Sequence, residues 1–515
     1  MRFLPALAAI AREDVAYQSL QPQSRRLFRR LGLVPPWLGP DAGPGTTGDA
    51  SEVLVEEGWL APEALALEAM AKLVRGPSRA VAGLVDELSR GQFVTPVQSV
   101  ASAEIEEGGR YRVRPLLAAY ARLHLHREEP VWRRVWAQAR LVRYLARKAE
   151  RHAMRPSAAG REWFACHQRL LAAVVAMGKG RPGDDAVPLP RPVRRWWFRL
   201  AEALCLWYAN EGRLDEWWAA CDAVRQAPTG PRPPVVGRLY NELGTLWGRP
   251  RVRGWVHNER GVILRRRGTP RAAIAELNRA LPRRGRRGEA QVLTNRGLAL
   301  LDLGAVEPAT ADFKRAVQRR SPRNKVGQGL TELGLGVAYL RSGAASDARR
   351  HLVRAADAFD RANDLRGSAT ARANLVLAEW ETGARNAAVE VGDVALEKFT
   401  ELARSTGRRD AGGQAAALLN AGAARICLDS PDPAGAYERL DEARRLRLRR
   451  PPSAEAGRTS LYLGTAASQL PDRVDEASAL WHEAEAVCKE AGDAEGLAAA
   501  RRQLAQGPED GEPAT

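Results

Sequence analysis

The fold is decided by residues 331–355, which read TELGLGVAYLRSGAASDARRHLVRA. Within this stretch the small residue Gly336 is followed by Ala twelve positions later, by a bulky apolar residue at sixteen and by Ala at nineteen. Gly343 breaks the pattern in between, where a turn would separate two helices. Two antiparallel helices approach closely only where side chains are small, so this spacing predicts a helical hairpin.

The same spacing recurs along the second half of the chain. It is cleanest in the first three copies, and later copies loosen because small insertions lengthen their turns. Residues 204–221 hold a degenerate copy upstream. Stacked hairpins of this kind predict a mainly α protein with an α-α superhelix of tandem repeats. Each repeat carries one landmark residue in its first helix: Gly261, Gly297, Gly336, Val376, Gly422 and Gly464.

Two parts of this pattern resemble the tetratricopeptide repeat. Leu335-Gly336-Val337-Ala338-Tyr339 is similar to the core of that repeat's first helix, and residues 309–316 are similar to the Ala-x-x-x-Phe-x-x-Ala of its second helix. The resemblance implies a solenoid whose first helices line a concave face that binds a protein or peptide. The repeats here exceed the usual length of about 34 residues, which indicates longer helices or loops and no other fold.

The first 130 residues have a different pattern. Residues 17–35 read YQSLQPQSRRLFRRLGLVP and predict an amphipathic helix with Leu27, Phe28 and Leu31 on its apolar side. A Gly/Pro-rich stretch then predicts a loop over residues 35–48. Two helices followed by two strands are typical of a winged-helix module. We expect these helices at 62–73 and 78–88, and the strands at 92–97 and 109–113.

These N-terminal blocks resemble the winged-helix segment of actinobacterial STAND/NB-ARC regulators, in which tetratricopeptide repeats follow. Leu116-Leu117 and Tyr120-Ala121-Arg122 extend the match. Family members bind ADP or ATP through a P-loop, and this chain has no Gly-x-x-x-x-Gly-Lys-Ser/Thr. Arg114 and Pro115 stand where the family has a His-Asp pair that senses phosphate. The resemblance therefore implies a chain that begins where the ATPase core would end, without a nucleotide cofactor.

The predicted domains are a winged-helix-like module at 1–130, a helical, tryptophan-rich connector at 131–195, repeats at 196–505 and a disordered tail at 506–515. Ten of the 14 tryptophans lie between Trp132 and Trp255. They either seal the joint between module and repeats or line an aromatic groove for a peptide or flat ligand. Adjacent tryptophans on a helix point about 100° apart, so each doublet can direct one ring outward. Trp197 and Trp218 are the candidates for partner binding.

The formal net charge of +18 raises the question of nucleic-acid binding. Almost all basic residues are arginines, a bias that a GC-rich coding sequence produces for any protein. Clusters between hairpins could form a basic stripe that contacts phosphates or an acidic partner, or a solvated rim without a partner. They lack interleaved aromatic residues, which makes nucleic acid the less favoured partner. The clusters are Arg283, Arg284, Arg286 and Arg287; Arg319, Arg320, Arg323 and Lys325; and Arg444, Arg445, Arg447, Arg449 and Arg450.

Catalytic, metal and membrane classes find no support in the sequence. No apolar run reaches transmembrane length, and residues 3–11, which faintly resemble a signal peptide, are expected to form an ordinary helix. Five scattered cysteines indicate reduced thiols in a cytoplasm. Zinc motifs are absent, and His124 with His126 point in different directions on a helix. We expect no catalytic residue, cofactor or metal. The paired acids are expected to be solvated: Glu56-Glu57, Glu106-Glu107, Glu128-Glu129 and Asp184-Asp185.

The leading hypothesis is a non-enzymatic, cytoplasmic scaffold or regulatory protein that binds a protein or peptide through its superhelix. Asparagines recur near the front of four hairpins, where they either bind an extended peptide backbone or bond the neighbouring repeat. A second hypothesis is a DNA-associated transcriptional regulator that reads DNA with Ser78–Leu88, which carries Arg79 but also Asp86 and Glu87. A third is the sensor arm of a separate STAND ATPase. The candidate asparagines are Asn258, Asn295, Asn374 and Asn420.

Overall fold

The computed structural model describes most of the chain, and its described residues are mainly helical. They fall into two compact units, Met1–Arg249 and Pro250–Thr515. None of the described helices is long and apolar enough to cross a membrane. The signal-like stretch at 3–11, the loop at 35–48 and most of the predicted tail lie outside the described part. Described are residues 15–31, 33, 65–97, 110–113, 115–154, 157–179, 189–227, 249–407, 409–428, 430–447 and 451–507.

Unit 1 opens with three helices and a small antiparallel sheet. Strand β3 lies between the other two, with Tyr111 opposite both Leu65 and Pro96. The two predicted strands and the two predicted helices before them are present, and the extra strand β1 is too short to give a sequence signal. The elements are α1 (Pro22–Leu31), β1 (Leu65–Ala66), α2 (Leu67–Val74), α3 (Ser78–Arg90), β2 (Val94–Val97) and β3 (Arg110–Val113).

Ion pairs connect the predicted amphipathic helix α1 to the end of a later helix, α4 (Pro115–Glu128). Arg30 is buried and forms a two-pronged pair with Glu129, at 2.9 and 2.8 Å, while its third nitrogen donates to the carbonyl oxygen of Leu73. Glu128 accepts a hydrogen bond of 2.7 Å from Arg29. The prediction of solvated side chains is therefore wrong for Glu129, which is buried, whereas Glu128 is exposed as predicted and forms an ion pair as well. Their partners lie about a hundred positions away in sequence, where no local pattern reveals them.

The rest of unit 1 is helical. Helices α7 and α8 form the hairpin predicted from the degenerate repeat at 204–221, and Gly212 turns between them with a left-handed φ of 72°. The Sγ atoms of Cys205 and Cys221 approach to 3.8 Å across this hairpin as free thiols. The helices are α4 (Pro115–Glu128), α5 (Val131–Met154), α6 (Ala158–Ala176), a 3-10 turn (Met177–Lys179), α7 (Arg191–Glu211) and α8 (Leu214–Gln226).

Unit 2 is a series of antiparallel helical hairpins, each with a first helix, A, and a second helix, B. All six landmark residues lie on A helices, as predicted. Hairpins one and two share α10, and α20 follows the last hairpin. The helices are α9 (Arg249–Arg266), α10 (Pro270–Asp302), α11 (Val306–Arg319), α12 (Lys325–Arg341), α13 (Ala345–Asp360), α14 (Leu365–Glu381), α15 (Arg385–Thr406), α16 (Ala411–Ile426), α17 (Pro433–Arg447), α18 (Ala454–Ser468), α19 (Val474–Ala491) and α20 (Ala494–Gln506).

Helix α10 corrects one sequence prediction. It runs unbroken from the B helix of the first hairpin into the A helix of the second, with Pro282 inside it. The basic cluster that begins at Arg283 therefore lies on a helix and not in a turn. A proline inside a helix removes one backbone hydrogen bond and its ring crowds the preceding turn, so it disfavours a continuous helix. Here the backbone continues as a helix for twenty residues beyond Pro282.

Close approach at glycine explains the spacing rule. A Cβ atom added to Gly336 would lie 2.5 Å from Leu352 of the partner helix, and one at Gly297 would lie 2.7 Å from the ring of Phe313. The same ring also meets Gly334 of the next A helix, where an added Cβ would lie 2.5 Å away. The bulky residue thus packs within its own hairpin and against the next one.

We expect Gly334→Ala to destabilise unit 2. The new methyl group must displace the buried Phe313 ring, an overpacking cost of about 1–3 kcal/mol that exceeds the ~1 kcal/mol gained in helix propensity. Urea unfolding followed by circular dichroism measures the change, and Phe313→Leu in the same chain should recover part of it. Gly83→Ala is the matched control, since an added Cβ there meets nothing within 4 Å and should stabilise helix α3. Equal effects of the two substitutions would refute the packing explanation.

Candidate functional site

Unit 2 curves with its A helices on the inside. Each A helix from α10 onward contacts the A helix of the following hairpin, and no contact of comparable extent joins successive B helices among the described residues. Residues three or four positions apart lie on the same side of a helix. Three positions of each A helix therefore share one side: the sixth and the second residue before the landmark residue, and the first residue after it. Because the landmark itself packs on the B helix, this side faces away from it. We call this side the inner face.

The middle of the inner face is apolar. Leu330 and Leu377 leave 43% and 38% of their surfaces exposed on successive A helices, α12 and α14. Leu298 and Val337 are partly buried beside them. Leucine side chains exposed in line on neighbouring helices form a surface that a partner can cover. The inner face comprises Asn295, Leu298, Leu330, Val337, Asn374, Leu377 and Asn420.

The asparagine row lies where the sequence placed it, but most of its amide nitrogens bond the repeats themselves. Asn295 donates to the side-chain oxygen of Asn258 at 2.9 Å, and Asn420 donates to the carbonyl oxygen of Ala373 at 2.7 Å. Both bonds join successive A helices. Asn258 is fully buried and donates to Glu259, so it is not at the surface as the cradle hypothesis requires. The alternative, that these residues bond the neighbouring repeat, describes these contacts.

The amide oxygens of the asparagine row differ from its amide nitrogens in their hydrogen bonding. Asn374 donates to the carbonyl oxygen of Thr370 in its own helix at 2.9 Å. Asn295, Asn374 and Asn420 are all partly exposed, and the amide oxygen of each has no hydrogen-bond donor among the described residues. These three oxygens remain able to accept hydrogen bonds from a ligand's backbone N–H groups.

Buried threonines and an arginine join two more A helices. The hydroxyls of Thr294 and Thr331 lie 2.9 Å apart across α10 and α12, and Arg320 donates to both and to the carbonyl oxygen of Ala290. Burial lowers the pKa of the Arg320 guanidinium, because no described carboxylate compensates its charge. Its Nε is buried without a partner.

A cleft of about 240 Å³ opens beside Arg320, between α11, α12 and α13. Arg354 and Arg361 line it together with Glu332 and Asp357. No ion pair within the described residues involves any of its three arginines, so positive and negative side chains alternate in the lining of the cleft.

The predicted basic clusters are neutralised only in part. Arg444 forms a bidentate pair with Glu483 of the next hairpin, and Arg319 lies 3.8 Å from Glu289. Arg445 pairs with Asp441, and Arg447 pairs with Glu455. The side chains of Arg286, Arg287, Arg449 and Arg450 lie outside the described part. Within the described residues Arg283, Arg320, Arg323 and Lys325 form no ion pair, so the predicted stripe is a rim that keeps part of its positive charge.

Histidines of unit 2 also serve contacts between helices. Burial alone would raise the pKa of the Glu276 carboxyl, but a hydrogen bond of 2.7 Å to His257 and the charge of Arg260 hold that pKa below its usual range. His351 pairs with Glu332 at 2.6 Å and stacks on a tyrosine ring. In unit 1, His124 pairs with Glu128 at 2.6 Å. Among the described residues no group of His, Cys, Asp and Glu is arranged to hold a metal ion.

Four of the eight described tryptophans of unit 1 lie in its core. Trp163, Trp197, Trp207 and Trp217 are buried, and the Trp207 ring stacks on Phe164 with centroids 4.2 Å apart. The predicted partner-binding residue Trp197 is among them and donates from Nε1 to the carbonyl oxygen of Val175 at 3.0 Å. Its ring therefore cannot meet a partner at the surface. Trp218 is only partly buried, as expected for the outward ring of its doublet.

Sequence reasoning missed residues whose exposure only the structure reveals. Leu330 and Leu377 follow the helical period of core leucines, yet both are exposed on the inner face. Trp132 and Trp136 belong to a tryptophan-rich segment that we expected either to seal a joint or to line an aromatic groove, and both are among the exposed large hydrophobic side chains of unit 1. Trp196, the outward member of its doublet, lies among arginines from two helices.

Comparison with known proteins finds similar solved structures only. No family model matches the chain, and no curated protein matches it. The STAND protein with a tetratricopeptide repeat sensor from Pyrococcus horikoshii is 11% identical, with a TM-score of 0.42 over 93% of this chain and 66% of that one. A Rap protein in complex with Competence and Sporulation Factor is 12% identical, with a TM-score of 0.40 over 72% and 97%. A tetratricopeptide repeat protein from Parabacteroides merdae is 15% identical, with a TM-score of 0.34 over 58% and 97%.

Two of these three neighbours are described as tetratricopeptide repeat proteins, and this chain spans just under two thirds of the first of them. With TM-scores of 0.42 and below, the likeness carries neither the fold nor the function of this chain.

We expect Asn295→Ala to destabilise unit 2 more than Asn374→Ala. Asn295 is the hydrogen-bond donor to the buried oxygen of Asn258, and leaving that oxygen without a donor costs about 1–3 kcal/mol. Asn374 bonds within its own helix and is partly exposed, so its loss should cost under about 1 kcal/mol. Urea unfolding of the full chain measures both, and equal costs would show that the bond between repeats adds nothing.

Proposed function

We propose that this protein is a non-enzymatic scaffold that binds an extended segment of a partner protein along the inner face of unit 2. The observation that carries the proposal is the pair of exposed leucines, Leu330 and Leu377, on successive A helices of a curved array. Curvature places both side chains on the side where an extended segment can touch several helices at once. The partner would cover apolar surface there, which is the main source of binding free energy.

Polar groups beside the leucines suit an extended backbone. The free amide oxygens of Asn295, Asn374 and Asn420 lie on α10, α14 and α16 and can accept hydrogen bonds from the N–H groups of a bound segment. Their nitrogens are already held by the repeats, so the side chains are fixed in orientation before a partner arrives. Fixed side chains lose little conformational entropy on binding, which favours affinity.

The proposal predicts that Leu330→Asp with Leu377→Asp abolishes peptide binding without unfolding the array. A random peptide library displayed on phage and selected on the immobilised full chain supplies the ligands. Each leucine that a partner covers contributes about 1.5–3 kcal/mol, so every selected peptide should bind at least about tenfold more weakly to the double variant. Isothermal titration calorimetry measures the affinities.

A matched control places the same charges on the outer side. Val353 and Val394 lie on the B helices α13 and α15 and are 39% and 37% exposed, so Val353→Asp with Val394→Asp changes the same property away from the inner face. Peptide binding should survive there. If both double variants lose binding equally, the leucines have no specific role in binding. If Asn295→Ala with Asn374→Ala leaves every affinity unchanged, the asparagines have no role in binding.

A second candidate function is binding of duplex DNA by the first part of unit 1. We propose that the elements α1 to β3, within the predicted module at 1–130, form a winged helix with α3 as the reading helix. The order α1, β1, α2, α3, β2, β3, with β3 central in the sheet, supports this. The position of Glu87 supports it too, although the presence of this acid in the sequence argued against phosphate binding. It turns toward α1 and accepts from the backbone of Gln21 at 2.8 Å and from Ser24 at 2.5 Å.

The exposed charges of α3 make this second candidate testable. Because Glu87 is bonded to the start of α1, the exposed charged residues of α3 are Arg79, Asp86 and Arg90. We expect Arg79→Gln with Arg90→Gln to weaken binding of mixed-sequence duplex DNA and to reduce the salt slope by about one to two. Asp86→Asn should have the opposite effect and strengthen binding. Fluorescence anisotropy on the full chain measures both, and no DNA retention at low salt would eliminate the candidate.

A further inference from the structure

Four arginine side chains surround one tryptophan ring in unit 1. The guanidinium carbons of Arg143 and Arg147, on α5, lie 5.1 and 5.4 Å from the centroid of the Trp196 ring. Those of Arg195 and Arg199, on α7, lie 5.6 and 5.5 Å from it. The two helices bring together residues that stand about fifty positions apart in sequence.

This cluster holds more positive charge than its surroundings neutralise. Arg199 pairs with Glu150 at 2.8 Å, and within the described residues none of the other three arginines has an acidic partner. All four lie against one ring, so they are separated by no more than about one Debye length, ~10 Å at 0.1 M ionic strength. Arg143, Arg147 and Arg195 are exposed. Their fields add in solution, and a bound polyanion would relieve the mutual repulsion.

Exposed tryptophans extend the cluster along α5. Trp132 and Trp136 are 61% and 53% exposed, in a protein whose other large aromatic side chains are mostly buried. Trp136, Arg143 and Arg147 follow at steps of seven and four residues, which keeps them on one side of the helix. From Trp132 to Arg147 this side is about 22 Å long. We call it the arginine–tryptophan face: Trp132, Trp136, Arg143, Arg147, Arg195, Trp196 and Arg199.

We propose that the arginine–tryptophan face binds single-stranded nucleic acid. Guanidinium groups match the phosphate oxygens of the backbone, and exposed indole rings offer surfaces on which unpaired bases stack. Paired bases in a duplex have no free face for stacking, so two exposed rings favour a single strand. An acidic peptide would satisfy the arginines but gives the two indole rings no flat partner. The proposal concerns unit 1 and is independent of peptide binding by unit 2.

The test is fluorescence anisotropy of a labelled, mixed-sequence single strand of about 15 nucleotides titrated with the full chain. We expect binding at low salt, with the logarithm of the affinity falling linearly with the logarithm of the salt concentration. Stacking on Trp132 and Trp136 should quench the intrinsic tryptophan fluorescence on binding. No binding at about 50 mM salt would overturn the proposal.

Two variants separate phosphate contacts from stacking. Arg143→Gln with Arg147→Gln should weaken binding at least about tenfold and reduce the salt slope by about one to two. Trp132→Ala with Trp136→Ala should weaken binding about fivefold or more, leave the salt slope unchanged and remove part of the quenching. Both pairs are exposed on α5, and unaltered circular dichroism spectra would confirm that the variants are folded.

A matched control and two competitors complete the experiment. Arg350→Gln with Arg354→Gln removes two exposed arginines at the same helical spacing in α13, and its affinity should change less than about threefold. An equal loss in this control would mean that only net charge matters and would overturn the proposal. The two competitors are a duplex of the same sequence and poly-L-glutamate. The proposal would also be overturned if either one competed as strongly as the single strand and bound the tryptophan variant as well as it binds the unmodified chain.

Discussion

Contact between a glycine on one helix and a bulky side chain on its partner is the constraint on which unit 2 depends. At Gly297, Gly336 and Gly464 any larger residue would intrude on Phe313, Leu352 or Trp481. The short distance between A and B helices lets each bulky side chain also reach the next hairpin, as the Phe313 ring does at Gly334. One set of contacts thus holds hairpins together and stacks them, and the stacking in turn places the A helices on the inside. The inner face is a consequence of this packing.

The sequence predicted the features that depend on short-range spacing. Landmark residues, turns at Gly268, Gly304 and Gly343, and the two strands before residue 113 are all present. Each is set by residues within about twenty positions of one another. The Arg30–Glu129 pair was missed because its members are far apart in the chain. The unbroken helix α10 was missed because Pro282 and its glycines have local preferences that tertiary packing overrides.

The candidate site shows where sequence reasoning stops. Position along the helix was predictable for Asn258, Asn295, Asn374 and Asn420, because it follows from the repeat. Their hydrogen-bond partners were not, because a rotation of one side chain decides whether an amide meets a ligand or the next repeat. The exposure of the leucine side chains was equally impossible to predict from the sequence. Leu330 and Leu377 are apolar like core residues, and they are exposed because they lie on the side of the A helix that faces away from the B helix.

The charged residues show the same limit of prediction from sequence, together with its physical cause. Some residues of the basic clusters meet acids on a packed helix, as Arg444 meets Glu483 and Arg319 meets Glu289. Helix packing neutralises the charge at those places. A net charge of +18 means that other arginines remain unpaired, and those must lie where no neighbouring repeat provides an acid. The surroundings of Trp196 are such a place, because two helices there contribute four arginines and one paired carboxylate. Unpaired charge beside exposed aromatic rings is a better guide to a partner than the density of basic residues along the chain.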